Sequence, residues 1–187
     1  GVPVVASAAL AKRMERLGAD AVVAEGCEAG GHIGELTTMA LTPSVCDAVS
    51  IPVITAGGVA DGRGLVAAFA LGGEGVQVGT RFLTAFECGI HDAYKQKVIG
   101  AKDSDTIVTG RPSGHPVRQL KNRFARDVRK MEGDSDASVD EIEQMLAGSL
   151  HRAVTGDVEM GSLMSGQVAC LVHDEKPAAQ IVDDLMN

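Results

Sequence analysis

A chain of 187 residues can bury one sizeable core, but it falls short of the roughly 250 residues of a whole (β/α)8 barrel. Its 45% apolar and 22% charged residues are an ordinary globular balance, and no apolar run approaches the roughly 20 residues that span a bilayer. A formal net charge of −8 argues against nucleic acid as the main partner.

No secretory signal is visible, and Cys27, Cys46, Cys88 and Cys170 show no metal-ligand spacing. They read as reduced thiols of a cytoplasmic protein with no membrane partner. The 23 glycines cluster after apolar runs, which points to ligand loops lined by backbone.

The first hundred residues repeat one unit: a short apolar strand, a glycine-bearing turn and a helix. The strand candidates are Val2–Ala6, Ala21–Ala24, Pro52–Ala56 and Gly75–Gly79. They are β-branched and apolar on both faces, as buried parallel strands are. Between the first two, Ala8–Leu17 carries a stripe of Leu10, Met14 and Leu17, and Gly18 supplies its stop. Thr42 and Pro43 fit an N-cap and first helical position for the next helix. Asp61 caps a third, running to Leu71 and ended by Gly72–Gly73. Such βα units predict a parallel sheet with right-handed crossovers, in either a doubly wound or a barrel architecture.

The pattern changes near Ala85. Residues 85–100 predict a helix ending at Gly100, and 103–116 read as loop. Residues 117–131 look helical, and the basic run at 118–130 is either a local patch or a solvated helix face. Residues 132–138 form an acidic connector, and Asp140–Ala153 and Ala178–Met186 are further helices. The expected organisation is a half-barrel over 1–100, a helical insertion or cap over 101–153, and a segment over 154–187 that returns to the barrel.

Ligands of parallel sheets bind at the C-terminal strand ends. After the second strand stands Glu25-Gly26-Cys27-Glu28-Ala29-Gly30-Gly31-His32, after the third Gly57-Gly58, and the fourth ends Gln77-Val78-Gly79-Thr80. The latter two suit a phosphate, which needs backbone N–H donors and close approach, and Thr80 adds a hydroxyl. Plain turn chemistry is the alternative. His32, in a glycine loop at the ligand end, can exchange protons near neutrality, or else it is a loop histidine bonded to nearby backbone. His115, between Gly114 and Pro116, is a weaker candidate, and His91, His151 and His173 read as surface residues. Glu25 projects into the site or joins a buried ion pair, and Glu28 can brace the glycine loop by accepting N–H bonds. Neither zinc spacing nor a Gly-x-Ser-x-Gly elbow is present.

The stretch AEGCEAGGHIGELTTM at Ala24–Met39 closely resembles the flavin-site signature of FabK-type enoyl-[acyl-carrier-protein] reductases. PVITAGGVADGRG, EGVQVGTRF, TGRPSGHPVRQLKN, EQMLAGSL and GDVEMGSLMSGQVACLV resemble later segments of the same family in the same order. The wider family includes nitronate monooxygenases, which share the Glu-Ala-Gly-Gly-His core but usually have glutamine where Glu25 stands. The resemblance implies an α/β fold: the C-terminal half of a (β/α)8 TIM-type barrel followed by a mostly helical segment. Residues 1–84 then correspond to strands 5–8, and the preceding half, with its own FMN loops, is expected elsewhere.

The resemblance also implies FMN as cofactor, NADH or NADPH as reductant, and an enoyl substrate linked to acyl carrier protein. Hydride then passes from NAD(P)H through FMN to the β-carbon of a 2-enoyl thioester, in bacterial fatty-acid synthesis. His32 carries the catalytic role. Glu25, Gly30 and Gly31 map near the flavin ring or ribityl chain, and Gly57, Gly58, Gln77, Val78, Gly79 and Thr80 near the phosphate. Met164, Ser165 and Gln167 return to the flavin from the C-terminal segment. A homodimer is among the assemblies this allows. The alternatives are a nitronate monooxygenase using FMN and oxygen, a phosphate-binding barrel without flavin, and an inactive half-barrel or assembly module.

Overall fold

A computed structural model of the chain describes residues 1–134 and 138–187, so the middle of the acidic connector expected at 132–138 lies outside the described residues. From the start run β1 (Val4–Val5), α1 (Ala8–Arg16), β2 (Val22–Glu25), β3 (Gly31–His32), α2 (Thr38–Cys46), β4 (Val53–Ala56), α3 (Gly62–Ala70) and β5 (Gly75–Gln77). β1, β2, β4 and β5 form one parallel sheet in that order. Each strand pairs with the one from the next βα unit, with no reversal of order. A doubly wound sheet needs such a reversal, so the order selects the barrel arrangement.

Local chemistry explains most boundaries. The Ser7 hydroxyl caps α1 by accepting from the Leu10 N–H at 3.2 Å, and Gly18 leaves the helix at φ +88°. The Asp61 carboxylate caps α3 through the Arg63 N–H at 3.0 Å. Helices α1 and α2 cover the sheet through a core that includes Val5, Ala11, Val22, Leu41, Val45 and Val53. Fully buried valines and leucines of this kind contribute about 1.5–3 kcal/mol each.

The second helix departs from the expectation at Thr42 and Pro43. It begins at Thr38, and Pro43 lies inside it. The Thr37 side chain makes no cap bond; the carboxylate of Glu28, ten residues upstream, accepts the Thr38 N–H at 2.9 Å instead. Pro43 costs one helical bond and is tolerated in a helix packed on β2 and β4.

Beyond β5 come a 3-10 turn at Thr80–Thr84, α4 (Asp92–Ile99), β6 (Thr106–Thr109), β7 (Val117–Leu120), α5 (Arg123–Glu132), α6 (Val139–Leu146), α7 (Ser149–Val154), a 3-10 turn at Gln167–Leu171 and α8 (Ala178–Met186). Helices predominate, but β3, β7 and β6 make a small antiparallel sheet where loop and helix were expected. Thr106-Ile107-Val108-Thr109 is a β-branched run, suited to a pleated surface. The helix of 85–100 begins only at Asp92, capped by His91 Nδ1, and stops at Gly100 as expected. The helix expected over Asp140–Ala153 is split at Gly148, which adopts φ +67°. Tyr94, Val98, Leu120, Ala153, Leu163 and Val172 build the core of this half. No helix among the described residues is long and apolar enough to cross a membrane.

Candidate active site

The register of the parallel sheet places Glu25 beside Ala56 and Ala56 beside Gln77, in one row at the C-terminal strand ends. The loops that leave this row enclose a cavity of about 210 Å³. Glu25, Gly30, Gly57, Gly58, Gln77, Gly79, Thr80 and Met164, all singled out in the sequence, line it. Glu28, Ala29, Val59, Leu83, Gly166 and Val168 complete much of the wall.

Close backbone packing holds these loops together. Gly57 has φ +86°, and a Cβ there would lie 2.8 Å from the Gly26 carbonyl oxygen. The Thr38 hydroxyl lies 2.9 Å from both the Gly57 carbonyl and the Glu28 carboxylate, with one proton to share between them. Glu28 therefore ties the loop to the start of α2 through Thr38, and its carboxylate takes no N–H bond from the glycine loop itself among the described residues.

The C-terminal segment closes the cavity. The Gly166 N–H donates to Thr80 Oγ1 at 2.9 Å, and the Gln167 N–H to the Glu28 carbonyl at 2.9 Å. At Gly30 a Cβ would meet the Ser165 backbone at 2.6 Å. The Met164 carbonyl accepts the Tyr94 hydroxyl at 2.8 Å, and burial pushes the Tyr94 phenol's pKa upward, so it remains a donor.

Two features would suit a ligand that is both an anion and a hydrogen-bond donor, at a rim where Gly58 and Gly79 are exposed. The N–H groups of Gly58 and Gly79 donate to no group among the described residues, and the Cβ position of Gly79 opens on empty space. Across the row, Glu25 is half-buried and its carboxylate makes no hydrogen bond or ion pair among the described residues. Burial pushes its carboxyl above the usual range.

The remaining sequence candidates stand outside the lining of this cavity. Gly31 is buried in β3, opposite Arg118 of β7. Val78 packs with the core under α8, Ser165 is fully buried, and Gln167 is exposed, holding the loop through its backbone. His32 faces a different space: it is exposed and borders a second cavity of about 460 Å³. The surface of that cavity is mainly apolar, supplied by Val117, Met131, Ile142, Leu146 and Met164, while Gln119, Ser162 and the carboxylate residues Glu132, Asp134 and Glu143 also border it. His115, the weaker candidate, borders it too. Met164 lines both cavities and is the residue they share.

Some of this wall was not singled out beforehand. Gly166 sits inside the quoted Met-Ser-Gly-Gln segment, and Val59 directly follows the glycine pair. Leu83 and Val168 belong to 3-10 turns that carry no periodic signal. Gln119 and Ser162 meet through a buried 2.9 Å hydrogen bond between segments far apart in the chain, which spacing cannot reveal.

The family model for nitronate monooxygenase matches residues 1–187. The chain belongs to the nitronate monooxygenase family. A probable nitronate monooxygenase of Staphylococcus aureus (strain MSSA476) is 40% identical, over 92% of this chain and 51% of that protein. This family member thus spans about half the length of the curated relatives it matches. Among solved structures, FabK from Thermotoga maritima superposes with a TM-score of 0.94 at 53% identity, covering 99% of this chain and 59% of that one. Nitroalkane oxidase from Streptomyces ansochromogenes gives 0.83 at 30% identity, covering 99% and 56%. Both matches run through the half-barrel and the segment after it, as expected for the C-terminal part of a TIM-type barrel.

Proposed function

We propose that the complete protein is an FMN-dependent enoyl-thioester reductase that uses NADH or NADPH and takes its substrate on acyl carrier protein. The observation that carries this reading is the pair of adjoining cavities, one polar and glycine-lined, one larger and apolar, with Met164 common to both. The first fits FMN. Gly58 and Gly79 offer free N–H groups to a phosphate, and Gly79 leaves room for it. Glu25 offers an unpaired acceptor for a ring N–H or a ribityl hydroxyl. When bound, FMN would supply hydride transfer, which the side chains lining this cavity cannot perform.

The chain's own residues do the rest. The loops at Gly30, Gly57 and Gly79 orient the cofactor, and the segment from Met164 to Gln167 limits solvent access. The apolar cavity holds the acyl chain. His32, at its border, donates to the thioester carbonyl oxygen as negative charge builds there. The 53% identity to FabK favours this acceptor, as does the resemblance of Glu25 and of the C-terminal segments to the reductases.

Nitronate oxidation is the second reading, favoured by the name of the 40% identical relative. The test uses the complete protein. Denature it, identify the released flavin, then follow NAD(P)H oxidation with a 2-enoyl thioester and oxygen uptake with an alkyl nitronate. FMN and preferential enoyl reduction are expected. FAD, or no flavin after reconstitution, overturns the cofactor assignment. Turnover of nitronate alone establishes the second reading.

A further inference from the structure

The basic run at 118–130 does not face solvent throughout. Arg123, Arg126, Arg129 and Lys130 are exposed, but Arg118 is 8% exposed. Its guanidinium forms no ion pair among the described residues. Nε instead donates to the Cys27 carbonyl at 3.0 Å, and one terminal nitrogen donates to Thr106 Oγ1 at 3.1 Å. The Arg118 backbone, meanwhile, stands opposite Gly31 in the β3–β7 pair.

We infer that Arg118 is a positioning residue, holding both ends of the glycine-rich loop from Cys27 to His32 and so fixing where that loop meets the ligand. The side chain holds the beginning of the loop and the strand pairing holds its end. Between these points lie Glu28, Ala29 and Gly30, which wall the smaller cavity, and beyond them His32, which borders the larger. A shift of the Cys27 carbonyl moves all of them together.

The chemistry argues against a mere filler. Burying a guanidinium without a carboxylate partner is costly, and an apolar side chain of similar volume would fill the space without that cost. What arginine adds is direction. Its planar fork addresses two acceptors at fixed angles, one on the loop and one on β6, and so ties the loop to the antiparallel sheet. The charge also lies near Glu28, which is occupied in starting α2.

The consequence for catalysis rests on the flavin reading above, and the test separates the two. Prepare the complete protein as wild type, Arg118→Met and Arg118→Lys. Measure amide hydrogen exchange across residues 27–33, and FMN affinity by flavin fluorescence. Losing a charge-assisted hydrogen bond should speed exchange in this loop, and raise the FMN Kd, by about tenfold or more in Arg118→Met. Exchange in α1 and α3 should not change. Arg118→Lys keeps one donor and should recover most of the loss. Unchanged loop exchange in Arg118→Met overturns the inference, as does a loss of protection spread evenly over the chain. Faster loop exchange in a protein whose wild type binds no flavin leaves Arg118 as the clamp and overturns the flavin reading instead.

Discussion

The N–H of Gly166 donates to the hydroxyl of Thr80 at 2.9 Å in a buried setting, joining two residues 86 positions apart. Thr80 opens the turn after the last parallel strand, and Gly166 belongs to the segment that returns from the helical half. This bond fastens the second half of the chain onto the end of the barrel sheet, directly at the smaller cavity. Thr80→Ala leaves a buried donor unsatisfied and should cost about 1–3 kcal/mol, whereas Thr80→Ser keeps the acceptor and should cost less. Urea denaturation of the complete protein measures both. If Thr80→Ala is as stable as wild type, the bond does not hold these segments together.

Gly30 and Gly79 should respond in opposite ways. A Cβ at Gly30 would sit 2.6 Å from the Ser165 backbone, so Gly30→Ala must push the C-terminal segment off the loop and lower stability. At Gly79 no atom lies within 4 Å of a Cβ. Gly79→Val should therefore change stability by less than about 0.5 kcal/mol while blocking approach of a phosphate. Gly58 cannot serve the same test, because its φ of +77° strains any side chain regardless of space. Pairing an unfolding curve with a flavin titration tells the cases apart. Near-native affinity in Gly79→Val would make this glycine a turn residue only.

These contrasts show what spacing can and cannot reveal. The parallel strands and α8 are legible because their apolar patterns are local, as are the stop of α1 at Gly18 and the cap of α3 at Asp61. The start of α2 is not, since its cap is Glu28, reached only through the folded loop. The antiparallel sheet is hidden for a related reason. Arg118 and Gln119 make β7 look like a polar helix face, yet both are buried. Their partners, Cys27 and Thr106 for Arg118, Thr109 and Ser162 for Gln119, come from other segments. Glu25, Ala56 and Gln77 were individually visible at strand ends, but their alignment in one row follows from register.

Glu25 should impose a pH dependence on stability. Burial holds its carboxyl above the ordinary glutamate value, so the folded chain binds this proton more tightly than the unfolded chain does. The group's contribution is fully present below the ordinary value, about 4.3, and is lost as pH rises through the higher folded value. Glu25→Gln removes that loss. Denaturation midpoints between about pH 4 and pH 7 should show the variant gaining on wild type as pH rises. Parallel curves would mean that Glu25 ionises in the fold as it does in the unfolded chain.

Under the enoyl-reductase reading proposed above, His32 should matter to the second half of the reaction and little to the first. Its exposed side chain borders the apolar cavity and not the glycine-lined one, so His32→Ala removes nothing from the wall around the flavin. Flavin affinity should stay near wild type, and reduction by NAD(P)H, which needs no proton donor, should be little affected. Transfer to the 2-enoyl thioester differs, because hydride arriving at the β-carbon places negative charge on the thioester oxygen. A positioned donor lowers that barrier, and its loss should slow the step about 100- to 10,000-fold. Met164, common to both cavities, offers a contrast: Met164→Ala should disturb flavin binding as well as turnover. Stopped-flow absorbance on the complete protein separates the half-reactions. Equal slowing of both in His32→Ala would assign this histidine to cofactor placement, whereas a defect confined to enoyl reduction would fix its role at the acceptor.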